Sequence, residues 1–369
     1  MMKIFVINYN YNIIYIYIML TWVPEKSIDN DIVQKYLQTS KDSKIFTNYG
    51  PNVRLLEELI REKFEVSNEK SVIVVNNGSI AINILAAAID HKENKTLTWA
   101  TQCFTFPPSA QVNLQDVKIV DIDLDGGIDL QKIDDTVDGI IITNIFGNIV
   151  DIDKYEKWAK EKNKIVIFDN AATCYTFYKN INCINYGVGC GISFHHTKPF
   201  GFGEGGAIIV DKKYETTVRC LINFGINLTD NYYVKEGTNG KMSEISAVYI
   251  LQYLDTKFDT IIRKHSELYE YFKYKMKTNN IKQFKLFPSF HDDMKNVPAC
   301  ISILFDEFNE NYEKKLLEAN VSCRKYYHPL THLPISQYIY HHILCVPCTI
   351  DMTNYDIDRI IDIILSCME

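Results

Sequence analysis

Residues 193–206 read Ser-Phe-His-His-Thr-Lys-Pro-Phe-Gly-Phe-Gly-Glu-Gly-Gly. The only lysine in this stretch, Lys198, follows a polar cluster and precedes glycines at positions 201, 203, 205 and 206. Glycines at this density allow the backbone to approach a ligand closely. A lysine confined beside them is a candidate Schiff-base nucleophile, because confinement lowers the pKa of an ammonium group and frees the amine. The alternative is an ordinary lysine in a surface loop.

An acidic residue follows a second informative stretch. Residues 164–168 have the nearly continuous apolar pattern of a buried parallel strand, and Asp169-Asn-Ala-Ala172 comes directly after them. Open α/β sheets bind ligands at the carboxyl ends of such strands. A carboxylate there could pair with the protonated ring nitrogen of pyridoxal phosphate, whereas a helix N-cap is the alternative role for Asp169.

A third feature is the turn Gly78-Ser79-Ile80. It lies between a short β-branched run at residues 71–75 and a helix-like apolar segment at residues 80–89. Free backbone N–H groups and the helix dipole at such a turn suit a phosphate group. A Gly-Ser turn is common by itself. The order of phosphate turn, acid and lysine along the chain is much more specific than any one of the three.

The rest of the first 240 residues alternates between strand and helix patterns. Helices are predicted at residues 53–64, 80–89 and 153–161. Strands are predicted at residues 71–75, 118–122, 139–143, 164–168 and 207–210. This alternation predicts an α/β fold with a mostly parallel sheet between helices.

The pattern changes near residue 240. Two long helical stretches, 242–262 and 263–277, precede a mixed segment. That segment contains a strand at 299–305, a helix at 309–318, a strand at 345–347 and a final helix at 354–365. We predict three parts: an N-terminal extension (1–20), a large cofactor-binding domain (21–255) and a small α+β C-terminal domain (256–369).

Composition narrows the class of protein. The 369 residues carry a net charge of −7, with 47% hydrophobic and 23% charged residues, as in ordinary globular proteins. Since no basic run or stripe occurs, we expect no nucleic-acid partner. The ten cysteines show neither paired zinc-ligand spacing nor a disulfide framework, so we expect no metal site, reduced thiols and a cytoplasmic protein. The one CxxC, Cys345 to Cys348, reads as two buried thiols beside a proline turn.

The first 20 residues are rich in Ile, Tyr and Asn. Three asparagines interrupt the uncharged stretch, and the remaining apolar run, residues 13–20, is too short to span a bilayer. No small-residue cleavage site follows, and the alternation of Ile and Tyr favours a strand. We predict a dispensable extension, with Met19 as a possible true start; a strand packed on the body and a membrane segment are the alternatives.

Taken together, the motifs resemble those of the DegT/DnrJ/EryC1/StrS sugar aminotransferases, a family of pyridoxal-phosphate enzymes of nucleotide-sugar metabolism. The resemblance covers about residues 22–369. The Ser-Phe-His-x-Thr-Lys…Gly-Glu-Gly-Gly element within residues 193–206 is its most specific part. The further matching motifs lie at residues 47–51, 77–79, 103–106, 120–123, 144–148, 169–172, 239–244 and 324–329.

The resemblance implies an aspartate-aminotransferase-like fold (fold type I) and pyridoxal 5′-phosphate as cofactor. In such an enzyme Lys198 would bind the cofactor covalently and move a proton between the substrate carbon and the cofactor. Asp169 would pair with the pyridine nitrogen. Phe106 would stack on the ring, with Trp99 as the alternative. Ala172 stands where the family usually has His or Gln, which weakens one contact and leaves the essential chemistry in place.

The resemblance also implies how the cofactor phosphate is held. The backbone at Gly78, Ser79 and Ile80 and the hydroxyl of Ser193 would bind it. Asn239 would reach the phosphate across the interface of a homodimer, because family active sites are shared between protomers. Of the two neighbouring histidines, His195 and His196, we expect one to pack and one to line the pocket.

The reaction implied is transfer of the amino group of L-glutamate to a nucleotide-linked keto-sugar. Thr47 and the segment Arg324, Lys325, Tyr326, Tyr327 and His328 would bind that sugar. The motif pattern favours C4 of dTDP-4-keto-6-deoxyglucose, giving dTDP-4-amino-4,6-dideoxyglucose (dTDP-viosamine). A 3-aminotransferase acting on the 3-keto isomer is the main alternative.

Two other functions are less favoured. Relatives that use the cofactor for dehydration replace the lysine with His, whereas this chain has Lys198. A non-catalytic pyridoxal-phosphate-binding regulator should lack a usable lysine or carry a DNA-binding module. Neither property is seen in the sequence.

Overall fold

The structure is a computed structural model that describes residues 6–9, 12–15, 19–227, 232–288 and 296–368. Its helices are α1 (Asn30–Ser43), α2 (Pro51–Lys63), α3 (Gly78–Lys92), α4 (Ile152–Lys162), α5 (Glu215–Ile222), α6 (Glu244–Thr278), α7 (Asn311–Glu318), α8 (Pro334–His342) and α9 (Asn354–Leu365). Its first strands are β1 (Val6–Tyr9), β2 (Asn12–Tyr15), β3 (Lys70–Val75), β4 (Trp99–Gln102), β5 (Lys118–Val120), β6 (Gly139–Thr143), β7 (Ile165–Asn170) and β8 (Phe177–Tyr178). The later strands are β9 (Ile181–Asn182), β10 (Gly189–Ser193), β11 (Gly206–Asp211), β12 (Ile226–Asn227), β13 (Tyr232–Tyr233), β14 (Phe284–Leu286), β15 (Ile301–Phe305) and β16 (Ile343–Val346).

The central feature is a seven-stranded sheet in the order β3-β11-β10-β7-β6-β4-β5. Strand β11 runs antiparallel to both of its neighbours, β3 and β10. The other four pairings in the sheet are parallel. The predicted mostly parallel sheet between helices is therefore confirmed. Parallel strands end at the same edge of a sheet, so Thr143 of β6 and Asp169 of β7 are paired neighbours at that edge.

Helices cover both faces of this sheet. In β3, Val72 and Val74 pack in the core shared with α2 and α6, whereas Ile73 and Val75 pack in the core shared with α3 and α5. This alternation follows from the two-residue side-chain period of a strand. Strands buried on both faces carry apolar residues at nearly every position, which explains why the sequence pattern located β3, β6 and β7 well.

Helix α3 begins beside the edge of the sheet at which the parallel strands β6 and β7 end. Its sequence, Gly-Ser-Ile-Ala-Ile-Asn-Ile-Leu-Ala-Ala-Ala-Ile, is apolar on almost all sides, and residues 81–89 are all buried. A helix of that kind belongs inside a protein. It packs against β10, β11 and α5. The strand before it and the sheet behind it therefore fix where its N-terminus points.

The C-terminal part is a separate small sheet with its own core. Strands β14, β15 and β16 pair antiparallel, and the ring of Phe305 stacks on that of Tyr312 with centroids 4.3 Å apart. The predicted α+β character is seen. Helix α6 runs unbroken through residue 255, so the predicted boundary between the large and small domains lies inside a helix. The domain division itself stays a prediction.

The N-terminal segment contains an antiparallel hairpin. Strands β1 and β2 pair from Val6 opposite Tyr15 to Tyr9 opposite Asn12. Leu20 then bonds to the C-terminal part through the backbone of Asn320 and Ser322. None of the described helices combines the length and the apolar run that a bilayer crossing requires. The role of residues 1–20 as an appendage stays a prediction.

One buried carboxylate ties three helices together. Glu244, in the first turn of α6, accepts hydrogen bonds from the backbone N–H groups of Asn52 (2.8 Å) and Val53 (2.9 Å) and from the hydroxyl of Ser40 (2.9 Å). Those N–H groups belong to the first turn of α2, where a helix has no backbone acceptors of its own. The negative charge also suits that end of the helix dipole.

We expect Glu244→Gln to lower the free energy of unfolding by about 1–3 kcal/mol, because an amide cannot accept all three hydrogen bonds and carries no charge. Denaturant unfolding of the purified protein measures this. The matched control is Glu267→Gln on the exposed face of α6, where only an exposed pair with Arg263 is lost, and we expect a change within about 0.5 kcal/mol. Equal effects of the two variants would contradict the capping role.

Candidate active site

A cavity of about 530 Å³ opens at the carboxyl ends of β6 and β7, between the large sheet and the C-terminal part. Ten of the residues predicted from the sequence line it: Gly78, Ser79, Phe106, Asp169, Ala172, Ser193, Lys198, Arg324, Tyr326 and Tyr327. They come from five separate parts of the chain. The fold therefore brings together, in one cavity, the phosphate turn, the acid and the lysine that are far apart along the chain.

The amine of Lys198 reaches this cavity from a tight turn after β10. The backbone N–H of Lys198 donates to the carbonyl of His195 at 2.8 Å, and that of Gly201 donates to the carbonyl of Lys198 at 3.1 Å. A Cβ on Gly201 would lie 2.0 Å from the carbonyl oxygen of His195, so this glycine is required for the turn. Burial lowers the pKa of Lys198, while Asp169 and the thiol of Cys300 oppose that shift.

Asp169 lies at the end of β7, fully enclosed. Its Oδ2 accepts a hydrogen bond from the hydroxyl of Ser109 at 2.8 Å, and its Oδ1 accepts one from the N–H of Ala171 at 3.0 Å. Burial raises the pKa of Asp169, and these two hydrogen bonds and the charge of Lys198 partly counter it. No helix begins directly after Asp169, since residues 171–176 form turns, bends and an isolated bridge. The N-cap alternative is therefore excluded.

The N-terminus of α3 forms another wall of the cavity. The side chain of Asn77 caps the helix by accepting a hydrogen bond from the N–H of Ile80 at 2.9 Å. The predicted phosphate contact at Ile80 is therefore not seen, because its N–H is satisfied by Asn77 and Ile80 does not line the cavity, whereas Asn77, Gly78 and Ser79 do. A Cβ on Gly78 would lie 2.8 Å from the Cβ of Ser193, which shows how closely β10 approaches this turn.

The two candidate stacking residues are clearly separated. Phe106 lines the cavity and is 54% exposed, with its ring 6.3 Å from that of Tyr327. Trp99 is buried in β4, away from the cavity, and its indole N–H donates to Asp90 at 2.9 Å. Phe106 is therefore the residue placed to cover a flat ring in this cavity.

An aromatic and cationic cluster borders the opposite side. The guanidinium group of Arg324 lies 4.9 Å from the ring centroid of Trp22, and its Nη1 donates to the hydroxyl of Tyr326 at 2.5 Å. The rings of Trp22 and Tyr326 meet edge to face at 5.6 Å. Tyr327 is buried and stacks on Phe146 at 5.2 Å.

The expectation that all of residues 324–328 face the substrate is corrected. Lys325 points away from the cavity: its Nζ donates to the carbonyl of His341 at 3.0 Å and lies over the ring of Phe308. His328 packs against Tyr340 and does not line the cavity. Lys325 lies between Arg324 and Tyr326 in an extended segment, so its side chain points to the side opposite to theirs.

Two further predicted residues lie outside the cavity of their own chain. Thr47 is exposed in the turn between α1 and α2. Asn239 is exposed as well, and its carbonyl accepts a hydrogen bond from the side chain of Asn76 at 3.2 Å. Both positions are accessible to a second chain, and the role of Asn239 at a homodimer interface stays a prediction.

The two histidines after β10 differ in their surroundings. His195 lines the cavity, with its Nδ1 2.8 Å from the hydroxyl of Thr197 and its Nε2 3.5 Å from a carboxylate oxygen of Glu204. His196 packs edge to face on Phe202. Burial is the main cause that lowers the pKa of His196. His195 is therefore the one of the two that is available to a ligand.

Sequence reasoning did not single out several cavity residues. Thr143 ends β6 and obeys the same strand-end rule that found Asp169, so that rule could have found it. Ser109 lies in a short 3-10 turn after Phe106, where the sequence shows no periodic pattern that would predict its hydrogen bond to Asp169. Trp22 precedes the first helix and reaches the cavity through tertiary contacts alone.

The expected cofactor can be tested against these residues. Pyridoxal 5′-phosphate needs an amine, an anionic partner for its ring nitrogen and donors for its phosphate. The cavity offers Lys198, the enclosed Asp169 and the N-terminus of α3 with the Ser193 hydroxyl. The carboxylate of Asp169 has no ion pair with an arginine in the described chain, and burial raises its pKa, so a cationic ring nitrogen would be a favourable partner for it. The residues present therefore fit the cofactor.

Comparisons with known proteins agree with this geometry. The family model of the DegT/DnrJ/EryC1/StrS aminotransferase family matches residues 26–365. A dTDP-4-amino-4,6-dideoxy-D-glucose transaminase from Shigella dysenteriae is 27% identical over 315 residues, covering 80% of this chain and 81% of that protein. A UDP-4-amino-4,6-dideoxy-N-acetyl-beta-L-altrosamine transaminase from Campylobacter jejuni is 23% identical, covering 95% and 98%.

A solved structure adds a comparison of fold. The crystal structure of a DegT DnrJ EryC1 StrS aminotransferase from Brucella abortus superposes with a TM-score of 0.78 at 20% identity. The match covers 91% of this chain and 95% of that one. The predicted aspartate-aminotransferase-like architecture is therefore confirmed.

Proposed function

Since the chain belongs to the DegT/DnrJ/EryC1/StrS aminotransferase family, we propose that it moves the amino group of L-glutamate to C4 of dTDP-4-keto-6-deoxyglucose, giving dTDP-4-amino-4,6-dideoxyglucose. It is a sugar aminotransferase that depends on pyridoxal 5′-phosphate. The observation that carries the proposal is the meeting of Lys198, Asp169 and the N-terminus of α3 in one cavity.

Lys198 is the catalytic residue of the proposal. Because burial lowers its pKa, a larger share of its amine is neutral than for a surface lysine, and a neutral amine is the nucleophile that attacks an aldehyde. The cofactor, once bound, would supply an electron sink for the electron pair that is left on the α-carbon of the amino donor when its proton is removed. The Nζ of Lys198 would accept that proton and return it to a neighbouring atom.

Asp169 is proposed to hold the protonated ring nitrogen. An enclosed carboxylate interacts strongly with a cation, because few water molecules screen the pair. Ser109 and Ala171 hold its two oxygens from the protein side, which fixes the direction in which the remaining lone pairs point. A cationic partner would also offset the cost of burying the carboxylate.

The phosphate is proposed to bind at the N-terminus of α3. The N–H groups of its first turn, at Gly78 and Ser79, point along the helix axis toward the cavity, and the helix dipole favours an anion there. The hydroxyl of Ser193 is close because β10 approaches Gly78 within contact distance. In the proposed homodimer, Asn239 of one protomer would complete the phosphate site of the other.

The Trp22–Arg324–Tyr326 cluster is proposed as the end that receives the nucleotide-linked sugar. Arg324 makes no ion pair with any carboxylate among the described residues, so its charge is available to a phosphate-bearing substrate. The aromatic faces beside it suit a nucleobase or a sugar face. The buried Tyr327 stacks on Phe146 and gives the cluster a rigid base.

The choice of C4 and of the dTDP carrier rests on the Shigella relative and on the motifs at residues 146–148, 169–172 and 324–329, whereas the Campylobacter relative is named for a UDP-linked sugar. The experiment is to incubate the purified protein with glutamate and each of three substrates: the dTDP-linked 4-keto-6-deoxy sugar, its 3-keto isomer and a UDP-linked 4-keto sugar. Products are identified by mass and NMR spectroscopy.

We expect amination of the dTDP-linked 4-keto sugar at C4, with at least about 10-fold higher kcat/KM than for the other two substrates, equivalent to about 1.4 kcal/mol of differential binding. The absorbance of the bound cofactor should change when glutamate alone is added. Amination at C3 only would contradict the proposed position. Activity on the UDP-linked sugar alone would contradict the proposed carrier.

A further inference from the structure

A second lysine, Lys26, lies directly behind the turn that carries Lys198. Its Nζ donates to the carbonyl oxygen of Lys198 at 2.8 Å and to the carbonyl oxygen of Gly201. Gly201 also closes this turn, because its N–H donates to the same carbonyl of Lys198. One ammonium group therefore holds both ends of the four-residue turn.

The surroundings of Lys26 are unusual for a lysine. Among the described residues it makes no ion pair with a carboxylate, and its Nζ lies 4.7 Å from the centroid of the Tyr253 ring. Burial lowers the pKa of Lys26 to about 7. Burying a lysine without an anionic partner costs free energy, which here is offset only by two carbonyl dipoles and an aromatic face.

The titratable groups that face Lys26 supply no negative charge that would attract its ammonium group. His196, on the same loop, has a pKa lowered by burial and in part by the charge of Lys26. His265, on α6, has its pKa lowered to about 4, mainly by burial and with a contribution from Lys26. Tyr253, also on α6, is neutral. The contacts of Lys26 with the turn are therefore its main favourable interactions.

The opposite side of the turn is already fixed. A side chain on Gly201 would collide with the carbonyl oxygens of His195 and Phe194, so the turn packs tightly against the end of β10. Phe200, within the turn, is buried in the core. Lys26 supplies the remaining restraint, from the N-terminal segment, and it acts on the backbone of the residue whose amine reaches the cavity.

We propose that Lys26 is a positioning residue: its two hydrogen bonds to the 198–201 turn fix the backbone of Lys198 and so the direction from which the amine reaches the cofactor. This inference rests on the proposed role of Lys198. Misplacement of a reacting group by about 1 Å can cost about 100-fold in rate. The effect should therefore appear in kcat, while the binding of glutamate, which Lys26 does not touch, should change little.

The test compares Lys26→Met, which keeps the length and removes the donors, with Lys26→Arg, which keeps charge and donors. We expect Lys26→Met to lower kcat for the glutamate half-reaction about 10- to 100-fold, with KM within about 2-fold of wild type. Lys26→Arg should recover most of this loss. The matched control is Lys35→Met, an exposed lysine that lies over Tyr36 on α1, and it should behave as wild type.

A second readout does not use turnover. The apo form of Lys26→Met should take up pyridoxal 5′-phosphate more slowly than wild type, as followed by the absorbance of bound cofactor, because the amine is less well placed. If Lys26→Met does not fold, Lys26→Gln, which keeps an uncharged NH2 donor on a shorter side chain, replaces it with an expected intermediate kcat. Wild-type kcat and uptake in these variants, with Lys198→Ala inactive, would overturn this inference alone. An active Lys198→Ala would overturn the proposed function as well.

Discussion

Lys198→Ala should abolish transamination, with kcat reduced by at least about 1,000-fold. Alanine removes both the nucleophile that binds the cofactor and the group that moves the proton, and each contribution is large by itself. The cofactor should still bind, because Asp169, Ser193 and the N-terminus of α3 are unchanged. It should, however, be removable by dialysis. Steady-state turnover and the absorption spectrum before and after glutamate measure the two effects.

Lys198→Arg separates charge from nucleophilicity in the same experiment. Arginine keeps a cation near Asp169 but cannot lose its proton, so it cannot attack an aldehyde. We expect it to be as inactive as the alanine variant. Turnover near the wild-type level in either variant would show that another group is the nucleophile. Retained folding is checked by the unfolding midpoint of each apo protein.

The strand-helix alternation was enough to predict the architecture because this sheet is buried on both faces. Strands such as β3 and β6 leave continuous apolar runs, which a single sequence displays directly. Strand β10 was not predicted, since Gly189 and Gly191 dilute its pattern. A Cβ on Gly189 would lie 2.6 Å from the carbonyl oxygen of Ile209 in β11, and one on Gly191 would lie 3.1 Å from the backbone nitrogen of Ile82 in α3, so close packing of neighbouring elements, and not strand propensity, favours these glycines.

Site residues could be predicted from the sequence where the neighbouring residues form a recognisable pattern. Lys198 lies in a glycine-rich stretch and Asp169 follows an apolar strand, and both residues line the cavity. Lys325 shows the opposite case, because it belongs to the right motif and yet its side chain points to Phe308. No pattern in the neighbouring sequence distinguishes Trp22 or Lys26. Trp22 reaches the cavity, and Lys26 the 198–201 turn, only because the N-terminal segment packs beside them in the fold.

Asp169→Asn should lower kcat about 100- to 1,000-fold while leaving the fold intact. Asparagine has the same shape, and it can still accept a hydrogen bond from the N–H of Ala171 and interact with the hydroxyl of Ser109. It carries no charge, so it cannot keep the ring nitrogen of the cofactor protonated, and the electron sink is weakened. The matched control is Asp134→Asn, an exposed carboxylate paired with Lys118, which should keep wild-type kcat.

Stability in the absence of cofactor gives an independent test of the same residue, and its sign can be worked out. Burial raises the pKa of Asp169, so the native protein binds a proton more tightly than the unfolded chain does. The contribution of this carboxyl to stability is therefore full below the ordinary aspartate pKa and is lost as the pH rises through the raised value. Asparagine avoids that loss. We expect apo Asp169→Asn to be at least as stable as wild type at pH 8, and its advantage to shrink toward pH 4.

The control residue should behave in the opposite way, which makes the comparison decisive. The hydrogen bond from Lys118 is the main cause that lowers the pKa of Asp134 to about 2. Its contribution to stability is present above the ordinary aspartate pKa and is lost as the pH falls toward 2. Asp134→Asn should therefore be slightly less stable than wild type at pH 8, with the difference vanishing in acid. The contrary result would be a loss of stability at pH 8 in Asp169→Asn, as expected for Asp134→Asn. The buried carboxylate of Asp169 would then stabilise the apo protein, and another residue of the cavity would have to bind the cationic ring nitrogen.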